Sequence, residues 1–272
     1  MTAPDVGDDE LRELVDAIHA RYGYDLRGYA AASLARRVCA TLARTRIADV
    51  AELRRRVLAD AGFFHDVLDG LTVRVSELFR DPAFYAALRA RVVPFLRTYP
   101  LLRVWCGGCA TGDEAYSMAI LLAEEGLYER AQIYATDLSA AAIEQAKHGV
   151  FPAARLRDAA ARHREAGGVG ALEACFTVAY DEAAIRPALQ RNILFFQHDL
   201  VVDEAFGEMH LILCRNVLIY FDRALQHEVL QKLARSLCPG GFLAVGASEH
   251  VRGEAPFAPY VAEQRIYRHV GS

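Results

Sequence analysis

From Leu101 to the C-terminus, short apolar runs alternate with amphipathic stretches. LLRVWC, QIYATD, NILFFQHD, MHLILC and GFLAVG are each rich in branched, aliphatic or aromatic residues and are strand-length. Between them, DEAYSMAILLAEEG, LSAAAIEQAKHG and FDRALQHEVLQKLARSL carry helical spacing, the second ending at Gly149. YVAEQRIYRHV is predicted as one final strand. Strands separated by helices of about 10–15 residues specify βαβ units, because parallel strands need a crossover connection. The class is therefore α/β, a mostly parallel sheet covered by helices.

The first quarter of the chain has a different texture. Asp9 to Leu71 is helical throughout, with heptad-like apolar spacing and many Ala and Arg. Leu71–Pro94 joins the two textures. The expected organisation is a helical domain over residues 1–70, a linker over 71–94 and an α/β domain over 95–272. The least regular part of that last domain, Phe151–Gly170, opens an expected small insertion around 151–191. A chain of 272 residues can bury a full core without staples. Its net charge of -4 excludes a general bias toward nucleic acid. The acidic start MTAPDVGDDE is no signal peptide, and the apolar run Met209–Phe221 is broken by Arg215 and Asn216, so no membrane insertion is expected. Six scattered cysteines suit reduced thiols in a cytoplasmic protein.

GGCATGDEAYS follows the first strand and opens a helix, the place where α/β sheets bind nucleotides. Gly107, Gly108 and Gly112 permit close backbone approach. The pattern is neither G-x-G-x-x-G nor a P-loop, which needs Lys-Ser/Thr where this chain has Asp113-Glu114. Two acids repel a phosphate and suit a cationic ligand. S-adenosylmethionine carries an ammonium and a sulfonium and no phosphate. Asp113 is read as a helix cap and Glu114 as a cofactor contact. Asp137 ends the second strand and is placed to accept both ribose hydroxyls; Ser139 serves equally well as the cap of the next helix. Cys106 and Cys109 form a C-x-x-C with no second pair at ligand spacing, so small loop-lining residues are the better reading.

Three further segments sit where ligands gather. In LTVRVSELFRDP, the bland reading of Ser76-Glu77 is a capping feature before an apolar helix. In HLILCRNVLIYFD, Arg215, Asn216 and Tyr220 follow a buried strand, an end that carries ligands in open sheets. In QHDL, Asp199 is placed to meet an adenine edge, and His198 is read as a surface or packing residue rather than a catalyst. Taken in order and spacing, LTVRVSELFRDP, VWCGGCATGDEAYS, ATD, QHDL and CRNVLIYFD resemble the CheR family of chemotaxis receptor methyltransferases, over nearly the whole chain. The resemblance implies a Rossmann-like S-adenosylmethionine-dependent methyltransferase sheet with a small all-α N-terminal domain. By matching motifs it implies cofactor contacts from Ser76, Arg80, Glu114, Asp137, Asp199, Leu200, Arg215 and Asn216. It places Arg80 and Tyr220 near the transferred methyl. The chain departs from the family at Arg74, where Asn is frequent, at Asp113, which keeps the usual charge, and across Phe151–Arg191.

Methyl transfer to a carboxylate needs few catalysts. A glutamate side chain, with a reference pKa of about 4.3, is ionised at neutral pH, so no general base is required. Arg80 would hold one carboxylate oxygen, and Tyr220 would donate a second hydrogen bond; the bland alternatives are a salt bridge of Arg80 with Asp81 or Asp113 and packing for Tyr220. From Arg27 to Arg56, eight arginines face two acids, Asp49 and Glu52, a local charge of +6. On the helix from Ser33, Leu34, Val38 and Leu42 share one face, with Arg36, Arg37 and Arg44 on the other. That basic face is either solvated or docks the acidic helical cytoplasmic domain of a receptor. The expected partner is such a receptor and the enzyme a monomer. A methyltransferase for another substrate, or a non-catalytic sensor of the cofactor, are the competing functions. Because only ACFTVAY and NILFF read as strands in the inserted region, no strand-addition tether to a receptor peptide is expected.

Overall fold

The computed structural model describes residues 6–71, 76–251 and 256–271; Arg74, singled out in the sequence, lies outside them. The helical domain consists of α1 (Asp8–Tyr22), α2 (Ala31–Thr45), α3 (Val50–Ala59) and α4 (Ala61–Leu71). Local chemistry sets its boundaries. Asp8, Asp9 and Glu10 begin α1, where the helix dipole favours anions, and Gly23 at φ 80° ends it. The Asp49 carboxylate accepts the Glu52 N–H and so starts α3. Leu14, Ile18, Val38, Leu42, Leu53 and Phe64 close a core separate from that of the rest of the chain. Tyr22 stacks on Phe64 with ring centroids 3.9 Å apart.

The linker contains α5 (Pro82–Ala87), a π-helical turn at Leu88–Val92 and α6 (Val93–Leu96). Pro94 supplies no N–H, which loosens the hydrogen-bond ladder at that join. The capping reading of Ser76-Glu77 does not hold. α5 starts at Pro82, after Asp81 at φ 57°, five residues too late for those side chains to cap it.

The α/β domain runs β1 (Leu102–Gly107), α7 (Asp113–Glu124), β2 (Ala131–Asp137), α8 (Ala140–His148), β3 (Val150–Pro152), α9 (Ala154–Glu165), β4 (Phe176–Ala179), β5 (Glu182–Ile185), α10 (Pro187–Gln190), β6 (Ile193–Gln197), β7 (Met209–Cys214), α11 (Arg223–Ser236), β8 (Leu237–Val245), β9 (Phe257–Val261) and β10 (Ile266–His269). Seven strands form the main sheet in the order β6-β2-β1-β7-β8-β10-β9. The first five are parallel, and β10 is antiparallel to both its neighbours. The chain leaves β1 toward β2 and later returns to β7 on the other side of β1. The loops after β1 and β7 therefore diverge over a crevice at the carboxyl ends of the strands, the place where such sheets bind ligands.

Two expectations are corrected. YVAEQRIYRHV is a hairpin, not one strand: β9 ends at Val261, Ala262–Gln264 form a 3-10 turn, and Arg265 at φ 54° sends the chain back as β10. Apolar residues on both sides of the turn imitate one continuous run. The inserted region holds more strand than its composition suggests. β3, β5 and β4 make a three-stranded antiparallel sheet, with α9 formed by the Ala/Arg-rich segment. Glu182–Ile185 is a poor strand by propensity. As the centre strand it pairs on both sides and buries Ala183 and Ile185, so tertiary pairing overrides propensity. β4 is an edge of this sheet, with Val178 and Tyr180 exposed, which removes the reason for expecting no strand-addition site.

Candidate active site

The crevice is built from backbone first. Gly108 follows β1 at φ 74°, and the N–H groups of Gly108 and Cys109 both donate to the Thr136 carbonyl at 2.8 Å. This ties the end of β1 to the end of β2. A Cβ at Gly108 would stand 2.4 Å from Val217 Cγ2, so only glycine lets the loop after β7 pack this closely. Gly112 at φ 87° is the N-cap of α7. Asp113 is therefore not the cap, as the sequence suggested, but the first helical residue. It is wholly buried, accepts from Thr111 Oγ1 at 2.7 Å and pairs with Arg155 at 2.6 Å. Arg155 also donates to the Ser76 carbonyl, fastening the linker to α7.

Asp137 ends β2 and reaches back to the glycine loop. Its Oδ2 accepts the Ala110 N–H at 2.8 Å and its Oδ1 the Ser139 N–H at 2.9 Å, while Ser139 Oγ caps α8 by accepting the Ala142 N–H. The carboxylate thus locks the glycine turn and remains in the cleft wall.

The cleft has two lobes that share Gly108, Asn216 and Tyr220. One is walled by Asp137, Asp199 and Leu200, together with Tyr29 and Arg37 from the helical domain. The other is walled by Ser76, Arg80, Glu114 and Arg215. Every residue expected to contact the cofactor or the methyl group therefore lines one cleft. Burial pushes the Glu114 carboxyl above its ordinary range, opposed by the Arg215 guanidinium 3.1 Å away. Burial likewise pushes the Asp199 carboxyl up, opposed by the Val201 N–H that it accepts at 2.8 Å. Arg215 is committed to bracing: it pairs with Asp81 at 2.6 Å and Glu114, and lies over the Phe84 ring at 4.0 Å. Arg80 differs. The acids that would have neutralised it, Asp81 and Asp113, are taken by Arg215 and Arg155, and among the described residues its guanidinium forms no ion pair.

Other side chains are less reactive. Burial pushes the thiols of Cys106, Cys109 and Cys214 well above their ordinary pKa, which disfavours thiolate chemistry. Among the described residues no group of three His, Cys, Asp or Glu is arranged to hold a metal. His198 packs edge-on against Trp105, with centroids 5.5 Å apart, as a packing reading requires.

The basic face of α2 is smaller than the helical spacing suggests. Arg36 and Arg44 are exposed, and Arg44 donates to the Asp66 carbonyl at 2.9 Å. Arg37 is only 7% exposed and faces the cleft. One helix-wheel position separates it from Val38 and Leu34, and the α/β domain covers that side.

Sequence reasoning missed Glu249. It is 4% exposed, and its carboxylate accepts the N–H groups of Asn216 at 2.8 Å, Ile219 at 3.0 Å and Gly246. It follows β8 in ASEH, at the same carboxyl end of the sheet that singled out Asp137 and Asp199, so the same rule would have found it. Lys232 on α11 was missed too. Its ammonium donates to the carbonyls of Leu200, Val201 and Asp203, pinning the loop beside Asp199.

A glycine cradle followed by acids, with a further acid at the end of β2, fits a ligand bearing positive charge and a ribose diol. Comparison with known proteins agrees. The family model described as CheR methyltransferase, SAM binding domain, matches residues 74–266, and that described as CheR methyltransferase, all-alpha domain, matches residues 9–72. A protein of Pseudomonas putida named as the methyltransferase Cher3 is 44% identical over 98% of this chain and 99% of its own length. A chemotaxis protein methyltransferase of Listeria monocytogenes is 30% identical over 86% of this chain and 87% of its own. One of Vibrio anguillarum is 27% identical over 93% of each. Among solved structures, StiE O-MT residues 961-1257 are 18% identical over 61% of this chain and 42% of that one, at a TM-score of 0.35. The two domain matches, which meet at the linker and together span the molecule, make this chain a member of the CheR family of S-adenosylmethionine-dependent methyltransferases.

Proposed function

We propose that the chain methylates glutamate side chains on the cytoplasmic helical domain of a chemotaxis-type receptor, giving methyl esters and S-adenosylhomocysteine. The observation that carries this reading is the Arg80 guanidinium, which lines the cleft beside Tyr220 with its neighbouring acids already paired elsewhere. A cation in that state is available to a carboxylate. Bound S-adenosylmethionine supplies an electrophilic methyl on sulfur. Glu114 and Asp137 provide negative charge for its ammonium and acceptors for its ribose, and Asp199 an acceptor for its adenine. Arg80 and Tyr220 would hold the incoming carboxylate by one oxygen and leave the other free to face that methyl. The nucleophile arrives ionised and no proton moves, which suits a cleft whose thiols are buried and raised in pKa. Holding two reactants in line can be worth about 7–11 kcal/mol of barrier.

The test is incubation with methyl-labelled S-adenosylmethionine and receptor cytoplasmic domains. Base-labile label on receptor glutamates supports the reading, and Arg80→Ala should abolish it. Label on another molecule points to a different substrate, and no label with intact cofactor binding points to a sensor.

A further inference from the structure

The helical domain reaches into the cleft. The Ala30 N–H donates to the Tyr220 carbonyl at 2.9 Å, and the Asp222 N–H donates to the Gly28 carbonyl at 2.8 Å. Tyr29 and Phe221 form an antiparallel bridge, their rings edge-on with centroids 5.1 Å apart. The approach is tight: a Cβ at Gly28 would lie 2.8 Å from Leu225 Cδ2. Above this bridge, Arg37 of α2 places its guanidinium carbon 4.0 Å from the centre of the Tyr220 ring. Its Nη1 donates to the carbonyl of Leu71, the last residue of α4, and among the described residues its buried Nη2 has no hydrogen-bond partner. Arg36 and Arg44, on the same helix, are exposed.

A guanidinium buried to this degree is out of reach of a receptor surface and serves no docking role. A cation over an aromatic face is attracted to it and restrains the ring, and Arg37 also interacts with the Tyr220 side chain as a hydrogen-bond partner. We infer that Arg37 is a positioning residue for methyl transfer: with the bridge from Gly28 to Ala30, it fixes the Tyr220 ring in the wall shared by both lobes of the cleft. The helical domain is then part of the active site as well as a candidate receptor contact. The inference rests on the proposed role of Tyr220 in the transfer step.

Four measurements test it. In steady-state assays Arg37→Ala lowers kcat about 3- to 30-fold, the range expected for a partly buried cation–π contact, with the receptor KM near wild type. In a Tyr220→Phe background the same change costs little more, because the hydroxyl that Arg37 positions is already gone. Arg37→Lys, which keeps the charge and is the gentler change for folding, restores part of the lost turnover and shows the same epistasis. In protein carrying 13C-labelled tyrosine, the Tyr220 ring resonances move or broaden in Arg37→Lys. A raised receptor KM with unchanged kcat makes Arg37 a docking residue and overturns the inference. Losses that multiply in the double variant, or ring resonances that stay unmoved, overturn it as well. If wild-type protein labels no receptor yet the ring resonances respond to Arg37→Lys, the geometric claim stands and the proposed reaction falls.

Discussion

Replacing Glu249 by Gln tests how the loop after β7 is held. The carboxylate accepts three backbone N–H groups, two from the loop at Asn216 and Ile219 and one from Gly246 at the end of β8. Glutamine has the same shape but one acceptor oxygen, and its amide would point N–H groups at a backbone N–H. At least one of the three bonds is lost. Leaving one buried N–H unpaired costs about 1–3 kcal/mol, and each surviving bond, no longer made to a charge, weakens by about 1 kcal/mol. The total is about 3–5 kcal/mol, concentrated on a loop in which Asn216 already holds φ 62°. Amide hydrogen exchange is the direct assay. If the loop opens independently of the rest of the fold, protection of Asn216 and Ile219 should fall roughly 100- to 3,000-fold, since 1.4 kcal/mol is a factor of ten. Protection in α1–α4 should change little. Because Tyr220 rides on this loop, turnover should fall with it. Unchanged exchange at Asn216 and Ile219, with stability within about 0.5 kcal/mol of wild type, would refute the argument that the carboxylate organises the loop.

Titration calorimetry of Asp137→Ala with S-adenosylhomocysteine should show a large loss of affinity, because the variant removes the proposed ribose acceptor and frees the Ala110 N–H; equal affinity would sink the assignment. On the proposed contact between Glu114 and the cofactor's ammonium, binding favours ionised Glu114, so affinity should be full above the Glu114 pKa and decline as pH falls through it. Burial raises that pKa, so the decline should begin at higher pH than for an ordinary carboxylate, and Glu114→Gln should flatten it. Arg36→Ala/Arg44→Ala should raise the receptor KM and reduce the salt sensitivity of wild-type activity, since exposed charges are screened over about 8–10 Å; identical salt profiles would mean that the face is merely solvated.

The linear order of residues determined the sheet, the helical first domain and most of the cleft. Buried parallel strands are apolar almost continuously, so β1, β2 and β7 are visible as runs, and their carboxyl ends locate Gly108, Glu114, Asp137 and Arg215 without any contact map. Glycines that must adopt positive φ announce the turn, as at Gly112. Tertiary structure alone decided three things. It made Glu182–Ile185 a strand, because pairing on two sides outweighs the weak preference of Glu and Ala. It turned Arg37 inward: a helical period assigns faces relative to the helix's own domain, and it carries no information about a second domain packed over the polar side. It also chose the ion-pair partners. Arg80, Arg155 and Arg215 are equivalent in charge, and only packing gives Asp81 and Glu114 to Arg215, Asp113 to Arg155, and leaves Arg80 facing the cleft, because Coulomb attraction selects the nearest acid in space and not the nearest in sequence.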